Sequence, residues 1–178
     1  MPRLFTGLEI PPEVALQLSA HRGGLPGARW IDPENYHITL RFIGDVDHAV
    51  ARDVFSILGE RRARAPLTVT FDRLGSFGGE RPRVVFAQAV ATPELQELHA
   101  EQERLVRRVG LPPEKRKFHP HVTLARLRDA SAIDVAGYLA MRGHFPKISF
   151  TAKRIALFSS RDSVGGGPYV IEAAYPLS

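Results

Sequence analysis

The chain has 178 residues, enough for one compact core or two small fused lobes, and is 44% hydrophobic and 24% charged, as globular proteins are. It has no cysteine, which excludes disulfides, thiolate nucleophiles and zinc–thiolate centres. It also has no apolar run near the roughly 20 residues a bilayer span needs, and its 24 basic and 19 acidic side chains leave a net charge of +5, mostly on arginine, whose planar guanidinium suits phosphate.

Arg3 to Glu9 alternates and predicts a strand; because the chain opens this way rather than as a signal peptide, the cytoplasm is the expected location. Pro11 and Pro12 open a helix running to about Ala20. His37 to Phe42 predicts a strand, and Asp47 caps a helix to Arg62, with Val50, Val54, Ile57 and Leu58 at helical spacing. Strands follow at Leu67–Leu74 and Arg83–Val90. Thr92 then caps a helix from Pro93 to Val109, with proline at its first position and glutamates in its first turn. His121–Leu127 is a strand, Ile133–Met141 a short helix, and Ile148–Phe158 and Tyr169–Ala174 are strands. Turns are marked at Arg22–Gly27, Gly75–Gly79, Leu111–Pro113 and Val164–Pro168. The order β-α-β-α-β-β-α-β-α-β-β repeats one pattern twice, with a break near Gly75–Gly79. It predicts an α+β protein, residues 1–178 forming one domain of two similar lobes, each a sheet backed by outer helices.

The repeat sharpens at one tetrapeptide. His37-Ile38-Thr39-Leu40 and His121-Val122-Thr123-Leu124 both read His, apolar, Thr, Leu, where this composition predicts about 0.03 copies by chance. Strand alternation puts His37 with Thr39, and His121 with Thr123, on one face, while Ile38, Leu40, Val122 and Leu124 bury in their own lobes. Two such lobes facing each other enclose two imidazoles and two hydroxyls. Imidazole titrates near neutrality, so one copy can act as base and the other as acid, and threonine hydroxyls can donate to phosphoryl oxygens.

On these residues the chain resembles the two-histidine phosphoesterases, and among them the bacterial RNA 2′,3′-cyclic phosphodiesterases, once called 2′-5′ RNA ligases. Arg3 to Pro11 looks like the family's opening strand, His37 to Gly44 matches its first motif and Phe118 to Arg126 its second. The resemblance implies a bilobal fold with pseudo-twofold symmetry, its two antiparallel sheets facing a central cleft. It also implies hydrolysis of an RNA 2′,3′-cyclic phosphate, tRNA fragments among the candidate substrates, to a 2′-phosphate without metal or other cofactor. Thr39 and Thr123 would hold phosphate oxygens, His37 would protonate the departing 3′ oxygen and His121 would take a proton from water. The acid and base roles can also be reversed, because the site is nearly symmetric.

Around the pair, the resemblance gives Arg126 a phosphate contact, although strict alternation puts it on the Val122 face unless a bulge turns it inward. Arg41 shares the His37 face by parity and would line the cleft. Phe5 is a candidate for base stacking, with core packing as the competing role; Trp30, Tyr36, Phe118 and Tyr169 invite the same question. His119 and His121 would share a face and, with His37, form a metal site, but no carboxylate completes the set. Two further functions compete with hydrolysis: 2′-5′ ligation of a cyclic phosphate to a 5′-hydroxyl end, and RNA binding without catalysis. A monomer is expected, since the cleft is internal to one chain.

Overall fold

The computed structural model describes residues 3–142, 144–160 and 167–178. Its elements in chain order are β1 (Arg3–Glu9), α1 (Pro12–Ser19), β2 (Ala28–Trp30), β3 (His37–Asp45), α2 (His48–Leu58), β4 (Leu67–Phe77), β5 (Val84–Ala89), α3 (Pro93–Arg108), β6 (His121–Leu127), α4 (Ala132–Met141), β7 (Ile148–Ala152), β8 (Arg154–Ser160) and β9 (Tyr169–Pro176). Helices α2, α3 and α4 start where side chains satisfy their orphan amides: Asp47 accepts from Val50 N–H, Thr92 from Leu95 N–H and Ser131 from Asp134 N–H. Among the described residues no helix is long and apolar enough to cross a membrane. The turn expected at Val164–Pro168 lies largely outside the described residues.

The strands form two antiparallel sheets, ordered β3-β1-β8-β9 and β2-β6-β5-β4-β7. The fold is therefore α+β with two facing sheets, as expected, but the lobes are not the two sequential halves. β4 leaves the first half to pair with β5, and β8 and β9 return from the second half to pair beside β1. A pseudo-twofold then relates β3 to β6, β1 to β5 and β8 to β4.

The strand expected at Ile148–Phe158 is really two strands in different sheets, separated by Lys153 alone. β7 alternates buried and exposed, as an edge strand covered on one side does, whereas β8 carries a continuous buried run from Ile155 to Ser159, as an inner strand does. The three-residue strand β2 falls inside what reads as loop. The apolar sides of the two histidine strands share one core rather than filling separate lobes. Ile38 and Leu40 of β3 pack in the same cluster as Val122 and Leu124 of β6, with Leu18 of α1 and Leu95 and Leu98 of α3. Each such buried leucine or valine contributes about 1.5–3 kcal/mol. This core joins the two histidine strands through their apolar sides, and their polar sides are left for the cleft.

Candidate active site

His37 opens β3 directly after a 3-10 turn at Pro33–Asn35, and its Nδ1 lies 3.0 Å from the Asn35 carbonyl oxygen. His121 opens β6, and its Nδ1 lies 2.5 Å from the His119 carbonyl oxygen. A carbonyl only accepts, so each Nδ1 carries the hydrogen, and each neutral ring keeps its Nε2 unprotonated. The same backbone device thus fixes the same tautomer twice.

Both rings are walled by aromatics. Phe5, Tyr169 and Phe158 lie 4.8, 4.9 and 5.6 Å from the His37 ring. Phe77 and Phe86 lie 5.0 and 5.2 Å from the His121 ring, and His119 lies 5.9 Å away. Burial pushes His37 down to about 4; the Asn35 carbonyl opposes this, while the positive charges of His121 and Arg126 add to it. Burial also lowers His121, opposed by the His119 carbonyl and reinforced by His119 and Arg126. Both imidazoles are therefore neutral at pH 7 without ligand, and the Arg126 charge acts on each.

A bulge explains how Arg126 gets there. Val85 pairs with Ala125 but Phe86 pairs with Thr123, so Leu124 is an extra residue on β6, and Leu124 and Ala125 are buried in succession. Parity flips at that point and Arg126 emerges on the His121 side, exposed. β3 has the same bulge: Thr6 pairs with Arg41 and Gly7 with Thr39, which leaves Leu40 extra. Here the flip removes a candidate. Arg41 turns to the back of the sheet, 6% exposed, where it pairs with Glu103 at 2.6 Å and donates to the carbonyls of Phe42 and Pro112. Arg41 is a buried ion-pair residue of the β3–α3 contact and does not line the cleft.

Phe5 also changes role. It is on the cleft face but only 4% exposed, stacked on Phe158 and tilted against His37, so it holds the imidazole and has no free face for a base. Phe42, which pattern reading passes over, takes the position on β3 that Arg126 takes on β6 and is exposed. The signal was present in the sequence: both residues stand five positions after their histidine. Thr39 and Thr123 are half-buried on the same faces as His37 and His121. Of the other aromatic candidates, Trp30 and Tyr36 pack in the core, Phe118 stacks on His99 at 4.0 Å, and Tyr169 meets His37 edge-on. Among the described residues no group of three or more His, Asp or Glu stands close enough to hold a metal ion.

A family model described as the 2′-5′ RNA ligase superfamily matches residues 10–163. The chain belongs to that superfamily. Its similarity to other members runs the length of the fold. It is 41% identical over 116 residues to a protein of Aeropyrum pernix named RNA 2′,3′-cyclic phosphodiesterase, covering 60% of this chain and 61% of that one. It is 30% identical over 166 residues to a Bacillus subtilis protein of the same name, covering 88% of this chain and 87% of the other. Among solved structures, Escherichia coli LigT complexed with 3′-AMP superposes with a TM-score of 0.77 at 26% identity, covering 100% of this chain and 99% of LigT. The superposition on LigT spans both bulged histidine strands described above.

Proposed function

We propose that this superfamily member hydrolyses RNA 2′,3′-cyclic phosphate ends to 2′-phosphates, without a metal, using His37 and His121 as acid and base. The observation that carries this reading is the matched pair of imidazoles, one per sheet. Each has its Nδ1 on a backbone carbonyl, which leaves Nε2 unprotonated, and a threonine two residues on, and each feels the charge of Arg126. The relatives named RNA 2′,3′-cyclic phosphodiesterase support the substrate class.

In the proposed reaction a water oxygen attacks phosphorus and the bond to O3′ breaks. One imidazole takes the proton of the attacking water, and the other, entering as imidazolium, gives its proton to O3′. The products are a 2′-phosphomonoester and a free 3′-hydroxyl. Both steps need help, because water is a poor nucleophile and alkoxide a poor leaving group; each proton transfer is worth about 10²–10⁴ in rate. An arriving phosphodiester anion offsets the burial that keeps the imidazoles neutral and so stabilises the imidazolium. Thr39, Thr123 and Arg126 hold the non-bridging oxygens, where charge builds up. Both imidazoles come from one chain, so no second copy is needed.

The test is a product assay with excess EDTA on an RNA oligomer ending in a 2′,3′-cyclic phosphate. A 2′-phosphate terminus is the expected product. Product only after metal is added would overturn the metal-free mechanism, and no product under either condition would overturn the reading. A second oligomer with a 5′-hydroxyl checks the reverse reaction, which gives a 2′-5′ linkage; water at about 55 M favours hydrolysis unless that end is held in place.

A further inference from the structure

The second sheet has an outer strand with no counterpart in the first. β2 pairs along the outside of β6, whereas β3, the equivalent of β6, is itself outermost. The β2 register sets Ala28 opposite Leu127, Arg29 opposite Arg126 and Trp30 opposite Ala125. Ala28, Trp30, Ala125 and Leu127 pack in one cluster with Val135 and Tyr138 of α4, on the back of the sheet. Alternation then puts Arg29 on the cleft side beside Arg126, and both residues are exposed.

Residues directly opposite on antiparallel strands have Cβ atoms about 4.5–5.5 Å apart, and like charges so placed repel. Two guanidiniums in that relation suit a site that binds anions, where each can fork onto phosphate oxygens. Arg126 reaches both imidazoles with its charge, and in the reaction proposed above it serves the phosphate being hydrolysed. Arg29 stands one strand further out, about 4.8 Å beyond β6. A free cyclic nucleotide has a single phosphate, which Arg126 and the two threonines already cover. An RNA end has another, on the 5′ side of its last nucleoside.

We infer that Arg29 binds the phosphodiester immediately 5′ of the terminal nucleoside, so that the preferred substrate is an RNA chain end and not a free cyclic nucleotide. The inference rests on the phosphodiesterase reading above and extends it to substrate length.

The experiment compares a 2′,3′-cyclic mononucleotide with a trinucleotide of the same base ending in a 2′,3′-cyclic phosphate, for the wild type, Arg29→Gln and Arg29→Lys. Arg29→Gln is expected to raise KM for the trinucleotide about 10-fold with little change in kcat, as loss of one charge-assisted contact does. It should change the mononucleotide constants less than about twofold. The slope of log(kcat/KM) against log salt for the trinucleotide should flatten by about 0.7, the signature of one lost single-strand phosphate contact. Arg29→Lys should recover most of the KM. Equal losses on both substrates, or none on either, would overturn the inference. A wild type that cleaves neither substrate would refute the phosphodiesterase reading instead. Arg29 is then judged by fluorescence anisotropy of a labelled trinucleotide with a 3′-phosphate. Its affinity must still fall about 10-fold in Arg29→Gln with the same flattening of salt slope, and an unchanged affinity would overturn the inference.

Discussion

The two imidazoles are held by backbone carbonyls, and among the described residues no carboxylate favours their protonated forms. Burial and the Arg126 charge both work against imidazolium. This has a kinetic consequence. In the proposed reaction kcat/KM follows the free enzyme with one imidazole protonated and the other neutral, and that singly protonated form is most abundant between two values that both lie below 6.5. The kcat/KM optimum is therefore expected below pH 6.5, and the kcat optimum at higher pH, because bound phosphate raises the imidazolium pKa. Coincident optima at or above pH 7 would contradict this. Replacing either histidine by alanine should lower kcat at least about 10²-fold while RNA binding survives, read by single-turnover kinetics and a binding titration. Arg126→Gln should lower kcat/KM about 10- to 100-fold without changing the urea midpoint, since it removes the proposed phosphate contact and no packing.

At the level of elements, the two bulges decide which side chains meet substrate. Leu40 and Leu124 are the extra residues, and each flip sends the next residue back and the one after it forward. One bulge brings Arg126 to the cleft, and the other sends Arg41 into contact with Glu103 and brings Phe42 forward. Arg41→Leu is expected to destabilise the fold by about 3–5 kcal/mol, because Glu103 is left as an unpaired, mostly buried charge, while activity per folded molecule stays unchanged. Denaturant melts together with specific activity check both parts. The elements that read clearly from sequence are those with a period or a cap: the histidine strands, and the helices opened by Asp47 and Thr92. The bulges did not, because a one-residue slip leaves no mark in a pattern of alternation. Alternation alone consequently puts Arg41 on the wrong face, and Arg126 reaches the cleft only through the flip at Leu124. β2 is too short to show a period, yet it sets Arg29 beside Arg126. Phe5 lies against His37, but its burial depends on Phe158 and Tyr169, which arrive from the far end of the chain.

Across the whole molecule, each histidine sheet is completed by strands from the other half of the sequence, and the passage from β7 in one sheet to β8 in the other takes a single residue, Lys153. The Lys153 carbonyl also accepts from Leu177 N–H just beyond the last strand, which fastens the joint. Inserting two glycines after Lys153 should lower kcat about tenfold or more with every site residue intact, because misplacing a catalytic group by about 1 Å costs on that order. Circular dichroism on the same sample separates a slackened joint from a failed fold. The exchange of strands was not legible in the sequence, since local pattern names strands and does not say which sheet receives them.

That one-residue joint makes the cleft a fixed calliper, not a jaw. The spacing between the two Nε2 atoms is set when the ladders form and the shared core closes over Ile38, Leu40, Val122 and Leu124. The loss of freedom needed to align acid with base is thus met during folding, by apolar burial far from the phosphate, before any RNA arrives.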